Sequence, residues 1–167
     1  NFFDRDHALQ PLPQRQYQDS FCRHGPANDQ AYSSTLSSKQ LIMTSIYILL
    51  AFFVIVFGQS AIDKVINFKS ELAFLKQHFS KTILSKTVPL MLVSITILEL
   101  GAALSGMIAI TEIARAHHFG FAKISGTLAT ASLLSLLLGQ RIAKDYAGAM
   151  TIVVYLIPTL LFWILIE

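Results

Sequence analysis

The sequence predicts an all-α integral membrane protein: a four-helix bundle with a short amphipathic interfacial helix between its first two spans. Composition is the first observation behind that class. Apolar residues make up 53% of the 167 residues and charged residues only 14%, where soluble domains carry about 25% charge. Run length is the second. A hydrocarbon core of about 30 Å takes roughly 20 helical residues, and residues 41–62, 88–110, 119–139 and 147–166 meet that length. The third is the near-absence of charge within those runs. The second span holds one ionisable residue, Glu99, and the third holds Lys123 near its start, where a long stem snorkels to the interface. A transmembrane barrel would instead show alternating segments of about ten residues.

Residues 1–42 differ from the rest. They are polar, with Pro11, Pro13 and Pro26 and a serine-rich YSSTLSSKQ segment, and Arg5, Arg15, Arg23 and Lys39 balance four aspartates. They show neither the apolar core nor the cleavage pattern of a secretory signal. Met43 opens the apolar sequence MTSIYILLAFFVIVFG. The expectation is a domain at 43–167 preceded by a polar segment. That segment is either a disordered leader or over-extended reading frame, or a genuine solvated tail. The single cysteine, Cys22, falls in it, so no internal disulfide or CxxC redox pair can form.

The first span, 41–62, is broken near its end by Gly58, Gln59 and Ser60 and followed by Asp63 and Lys64. Gln59 and Asp63, four apart, share a helical face, whereas Asp63 and Lys64 diverge. In the following loop, 63–87, Phe68, Leu72, Leu75 and Phe79 recur at helical spacing. They predict a short amphipathic helix that either lies among the lipid headgroups, its lysines near anionic lipid, or caps the mouth of the bundle. Both readings put Phe68 and Phe79 in apolar surroundings.

The second span centres on Glu99. An ionisable side chain at that depth costs about 2.5–3.5 kcal/mol on insertion scales, so it is expected to face the bundle interior. Ala102, Ala103 and Gly106 share its side of the helix, and small residues permit close helix packing. The third span offers a matching stripe, Ser125, Ala129, Ser132, Ser135 and Gly139, whose serines can hydrogen-bond across helices. Pro89 fits a first helical turn. Pro158, interior to the fourth span, is expected to free a carbonyl and bend the helix.

Glu99 admits several roles: a structural carboxyl, a proton-handling or quinone-facing group, or part of a cation pathway. One carboxylate without histidines at helical spacing is not a metal set. The densest polar cluster is GQRIAKDYAGA, 139–149, between the third and fourth spans. If the helix continued, Arg141 and Asp145 would be four apart and Gln140 and Lys144 likewise. Tyr146 sits where aromatic belts form. The cluster is either a stiff turn anchoring two spans or a binding edge in which Arg141 or Lys144 meets an anionic headgroup, a quinone carbonyl or a partner's carboxylate. His117 and His118 border a loop, and His78 is expected at the interface.

Lysines 64, 69, 76, 81 and 86 in the first loop, with Arg141 and Lys144 in the third, outnumber Arg115 and Lys123 around the second. The positive-inside rule places loops 63–87 and 140–146 in the cytoplasm. Basic residues at span edges indicate a membrane surface rather than a nucleic-acid face.

The segments FGQSAIDKVINF, LAFLKQHF, ITILELGAALSGM and GQRIAKDYAGAM, in that order, resemble the DoxX family of small bacterial membrane proteins, in its Bacteroidetes form. The resemblance covers about residues 44–166. It implies a four-helix bundle in the bacterial inner membrane, and a link to membrane subunits of redox or oxidative-stress complexes. The cofactor is left open, with a quinone as the candidate class; the spans themselves make the lipid bilayer a partner, the resemblance adds a redox-protein subunit, and a transporter would need a homo-oligomer. Residues for sulfur chemistry are absent from the sequence itself. Glu99 is the candidate catalytic residue, with Gln59, Asp63, Lys64, Arg141, Lys144, Asp145 and Tyr146 as candidate ligand- or partner-binding residues. A small oligomeric transporter or channel and a non-catalytic assembly protein are the alternatives.

Overall fold

Five helices occupy the described residues of the computed structural model: α1 (Pro26–Ile66), α2 (Phe68–His78), α3 (Val88–Ala116), α4 (Gly120–Ala143) and α5 (Tyr146–Ile166). The structure describes residues 26–80, 82–116 and 118–167, with side chains from residue 34 onward. Cys22, His7, His24, Lys81 and His117 therefore lie outside it. The chain divides into two units at Leu41/Ile42, and the bundle belongs to the second. The segment read as irregular up to residue 42 is helical from Pro26. Beyond Pro26, at the helix start where its missing N–H costs nothing, that segment holds no glycine or proline to stop a helix.

Four helices are long and apolar enough to cross a bilayer: Ser34–Ile66 of α1, α3, α4 and α5. Their buried residues form one core. Ile46, Leu50, Phe53 and Phe57 of α1 meet Ala102, Ala103, Ala109 and Ile113 of α3, Ala122, Ala129 and Leu133 of α4, and Ile152 and Phe162 of α5. Outward-facing residues are also apolar, among them Ile55, Ile97, Leu104, Leu134, Ile157 and Ile164, as lipid contact requires. A bundle in hydrocarbon satisfies its backbone internally and presents apolar side chains on both faces.

Small residues hold α3 against its neighbours, as the stripes predict. Glu99, Ala102, Ala103 and Gly106 are all buried. A Cβ on Gly106 would stand 3.1 Å from both Ser125 Oγ and Val54 Cγ2, so a larger residue there would press on both α1 and α4. The fit is tighter at Gly126, where a Cβ would lie 2.6 Å from Phe162 Cε1 and the ring would have to shift. The serines of α4 diverge in role. Ser125 donates across to the Ala102 carbonyl at 2.8 Å, whereas Ser135 donates to Ala131 of its own helix. Ser132 Oγ is buried with no hydrogen-bond partner among the described residues. Trp163 of α5 donates to Thr130 Oγ1 of α4 at 3.1 Å. The fourth side is closed by rings, with Phe53 edge-on to Phe162 at 5.1 Å and Phe52 near Tyr155 at 6.3 Å.

α2 caps the bundle mouth. Its C-terminal Phe79 is buried and reaches Gly139 of α4. His78 Nε2 lies 3.3 Å from Gln140 Oε1 and 3.7 Å from Asp145 Oδ2. Phe68 is half-buried, while Phe74 is 62% exposed and stacks on His78. The helix thus docks through its C-terminal end and leaves an aromatic on its outer face. Pro89 lies in the first turn of α3 and Pro158 inside α5.

The turn between α4 and α5 departs from the spacing argument. α4 stops at Ala143, and Lys144 takes a left-handed conformation, φ 60°. Lys144 N–H donates to Arg141 O and Asp145 N–H to Gln140 O, the paired bonds of a Schellman stop. The break removes the helical four-residue spacing between Arg141 and Asp145, and between Gln140 and Lys144. Asp145 instead caps α5, accepting from Gly148 N at 2.9 Å. Arg141 lies over the Tyr146 ring, 5.2 Å from its centroid.

Candidate functional site: a buried ion pair between two cavities

The apolar stripe of α1 runs Ile46, Leu50, Phe53, Phe57 and Ala61 in steps of three and four, and the next position in the series is Lys64. Lys64 therefore belongs to the core face although it lies near the helix end. In a helix the Cα–Cβ bond tilts toward the N-terminus, and the Lys64 stem turns back along α1. Its Nζ donates to Ser60 Oγ one turn earlier and to both carboxylate oxygens of Glu99, at 3.1 and 2.9 Å. Glu99 is 1% exposed, about 16 Å along α3 from Val88 at the usual rise. The pair unites the two ends of a charge problem. Each ion alone would be desolvated at membrane depth, and together they satisfy each other.

Glu99 also forms part of the wall of a cavity of about 390 Å³. Val56, Phe57, Gln59, Ser60 and Asp63 of α1 and Ile152 and Tyr155 of α5 make its sides, with Leu133 and Leu136 of α4 alongside Glu99. Gln59 and Asp63 are exposed at its rim, and the Phe52–Tyr155 ring contact borders it. The cavity is thus a lateral cleft between α1 and α5, polar at Glu99, Gln59, Ser60 and Asp63 and apolar along the rest of its wall. A second, smaller cavity of about 90 Å³ lies beneath α2, with Lys64 on its wall.

The candidates chosen from the sequence separate into two groups. Glu99, Gln59 and Asp63 line the cleft, and Lys64 joins them through its bonds to Glu99. Arg141, Lys144, Asp145 and Tyr146 form the α4–α5 turn, where Asp145 serves as helix cap and docking point for α2. Sequence reasoning missed the pairing of Lys64 with Glu99, the contribution of Tyr155 and the docking of His78. Only the first had a readable signal, the continuation of the core stripe to position 64. Glu112 does for the opposite turn what Asp145 does here: it binds His118 Nδ1 at 2.8 Å and accepts from Phe121 N at 3.2 Å. Among the described residues no three His, Cys, Asp or Glu side chains gather as a metal set.

Carboxylates, an amide and a hydroxyl on the wall of a cleft, with an ammonium bonded to the Glu99 carboxylate, can hold a polar ring and exchange a proton with it. Comparison with family models, curated proteins and solved structures found no match.

Proposed function

We propose that this chain is a DoxX-like membrane subunit of a redox or oxidative-stress-related complex in the bacterial inner membrane, and that the cleft between α1 and α5 takes the head of a quinone-type ligand. The observation that carries this reading is the place of Glu99, at once paired with Lys64 and on the wall of a lateral cleft. A carboxyl used only for packing would account for the ion pair but not for the cleft beside it. The ligand's ring would sit against Glu99, Ser60 and Tyr155, its carbonyls within reach of Gln59 at the rim, and its isoprenoid tail along the apolar flanks. Electrons would come from a partner subunit, since the chain carries no thiol pair. In this reading loops 63–87 and 140–146 face the cytoplasm.

A photoactivatable quinone added to the purified full chain in nanodiscs tests it. Labelling is expected in peptides spanning residues 56–63 and 152–155, suppressed by excess unlabelled quinone and weakened by Glu99→Gln. Label spread over outward-facing residues such as Ile97 and Leu104, without competition, would defeat the reading. A redox protein recovered in stoichiometric amount from a mild-detergent extract would identify the electron donor.

A further inference from the structure

The two cavities share Leu136 on their walls, and the ion pair bridges them. Glu99 belongs to the wall of the lateral cleft and Lys64 to the wall of the cavity beneath α2. The hydrogen bonds from Lys64 Nζ to Glu99 join one to the other. The smaller cavity is lined by Lys64, Glu71, Ser135 and Gln140 among apolar neighbours that include Phe79 and Met91. At about 90 Å³ it exceeds the roughly 10–15 Å³ that one water needs, and Lys64, Glu71, Ser135 and Gln140 offer such a water polar partners. Glu71 sits in the first turn of α2, half-buried, so it touches both the cavity and the surface of the capping helix.

We infer that the cavity beneath α2 is the proton inlet of the Glu99 site, with Glu71 as its entry carboxyl and Lys64 as the relay. This rests on the reading of Glu99 as the group that exchanges protons with the cleft ligand. The transfer conserves atoms and charge. An Nζ–H bond of the Lys64 ammonium breaks and an O–H bond forms on Glu99, leaving a neutral amine and a neutral acid. The amine lone pair then takes a proton from a cavity water, which is restored from the Glu71 carboxyl and finally from bulk solvent. The pair has gained one proton, held on Glu99 and facing the cleft.

The titratable groups lining the two cavities are Asp63 and Lys64 from α1, Glu71 from α2, Glu99 from α3 and Tyr155 from α5; α4 supplies only Ser135 and Gln140 as polar side chains. Asp63, on the cleft side, is the competing entry. α2 thereby acquires a purpose beyond closing the mouth. It holds one carboxylate at the wall of the cavity.

The test follows the carbonyl stretch of protonated Glu99 by time-resolved infrared spectroscopy after a pH jump, on the full chain in nanodiscs, with Glu99→Gln identifying the band. Glu71→Gln is expected to slow its appearance about tenfold or more while leaving the extent at equilibrium unchanged, and Asp63→Asn to leave the rate alone. Gly139→Leu gives an independent block, because Gly139 faces Met91 and Phe79 with room for a Cβ, at 3.7 Å from each, and a longer side chain fills the cavity. Equal rates in wild type, Glu71→Gln and Gly139→Leu would overturn the inference, as would slowing by Asp63→Asn alone or a Glu99 that never titrates. Quinone labelling of the cleft is a separate readout. If labelling holds while Glu71 has no effect, the inlet fails alone. If Glu71 controls the rate while the cleft takes no quinone, the inlet stands and the ligand class is wrong.

Discussion

Lys64 and Glu99 illustrate how little a single residue's position says without its partner. Thirty-five residues separate them in the chain, yet one ammonium serves both oxygens of one carboxylate. Removing one member leaves a buried charge unmatched, which costs about 3–5 kcal/mol, whereas replacing both with apolar side chains is often neutral. Lys64→Met and Glu99→Leu are each expected to lower thermal stability by that order, measured by circular dichroism in detergent. The double variant should recover most of the loss, and additive losses would mean that the pair is not coupled. Glu99 was legible as a buried residue from its lone charge and small-residue stripe, both local features. The core stripe places Lys64 on the buried face of α1, but which group it meets was not legible, because the registry between α1 and α3 is set by packing at Gly58, Val54 and Gly106.

At the scale of elements, the long helices were legible because hydropathy and length act locally, and the bilayer asks for both. The turns were not. A left-handed stop usually advertises itself with glycine; here Lys144 takes it, at a cost of roughly 1–2 kcal/mol for a side chain in that region, and no sequence rule marks the place. The consequence is that Asp145 leaves α4 and becomes the cap of α5, within 3.7 Å of His78 on α2. Asp145→Ala is expected to cost about 0.5–2 kcal/mol through the lost cap and to raise amide hydrogen exchange in α2 as well as in the first turn of α5. Asp145→Asn keeps the cap oxygen, so it should restore protection in α5 and only in part in α2. Unchanged exchange in α2 for both variants would show that Phe79 alone holds that helix down.

For the whole molecule, the antiparallel sequence of four spans commits the first and third connections to one side of the bilayer. Single cysteines at Ser80, Ala147 and His118 in a Cys22→Ser background test this with an impermeant maleimide on spheroplasts. Position 118 should label directly, and 80 and 147 only after permeabilisation. The reverse pattern would invert the orientation, and labelling of all three from one side would contradict four spans. The contact of Trp163 with Thr130 has a different use. The chain has one indole, and a single hydrogen bond across α4 and α5 holds it. Any event that parts those two helices must change the surroundings of that indole and shift its emission. The protein therefore carries its own fluorescent gauge of whether the bundle is closed, with no dye to attach and no second tryptophan to confuse the signal.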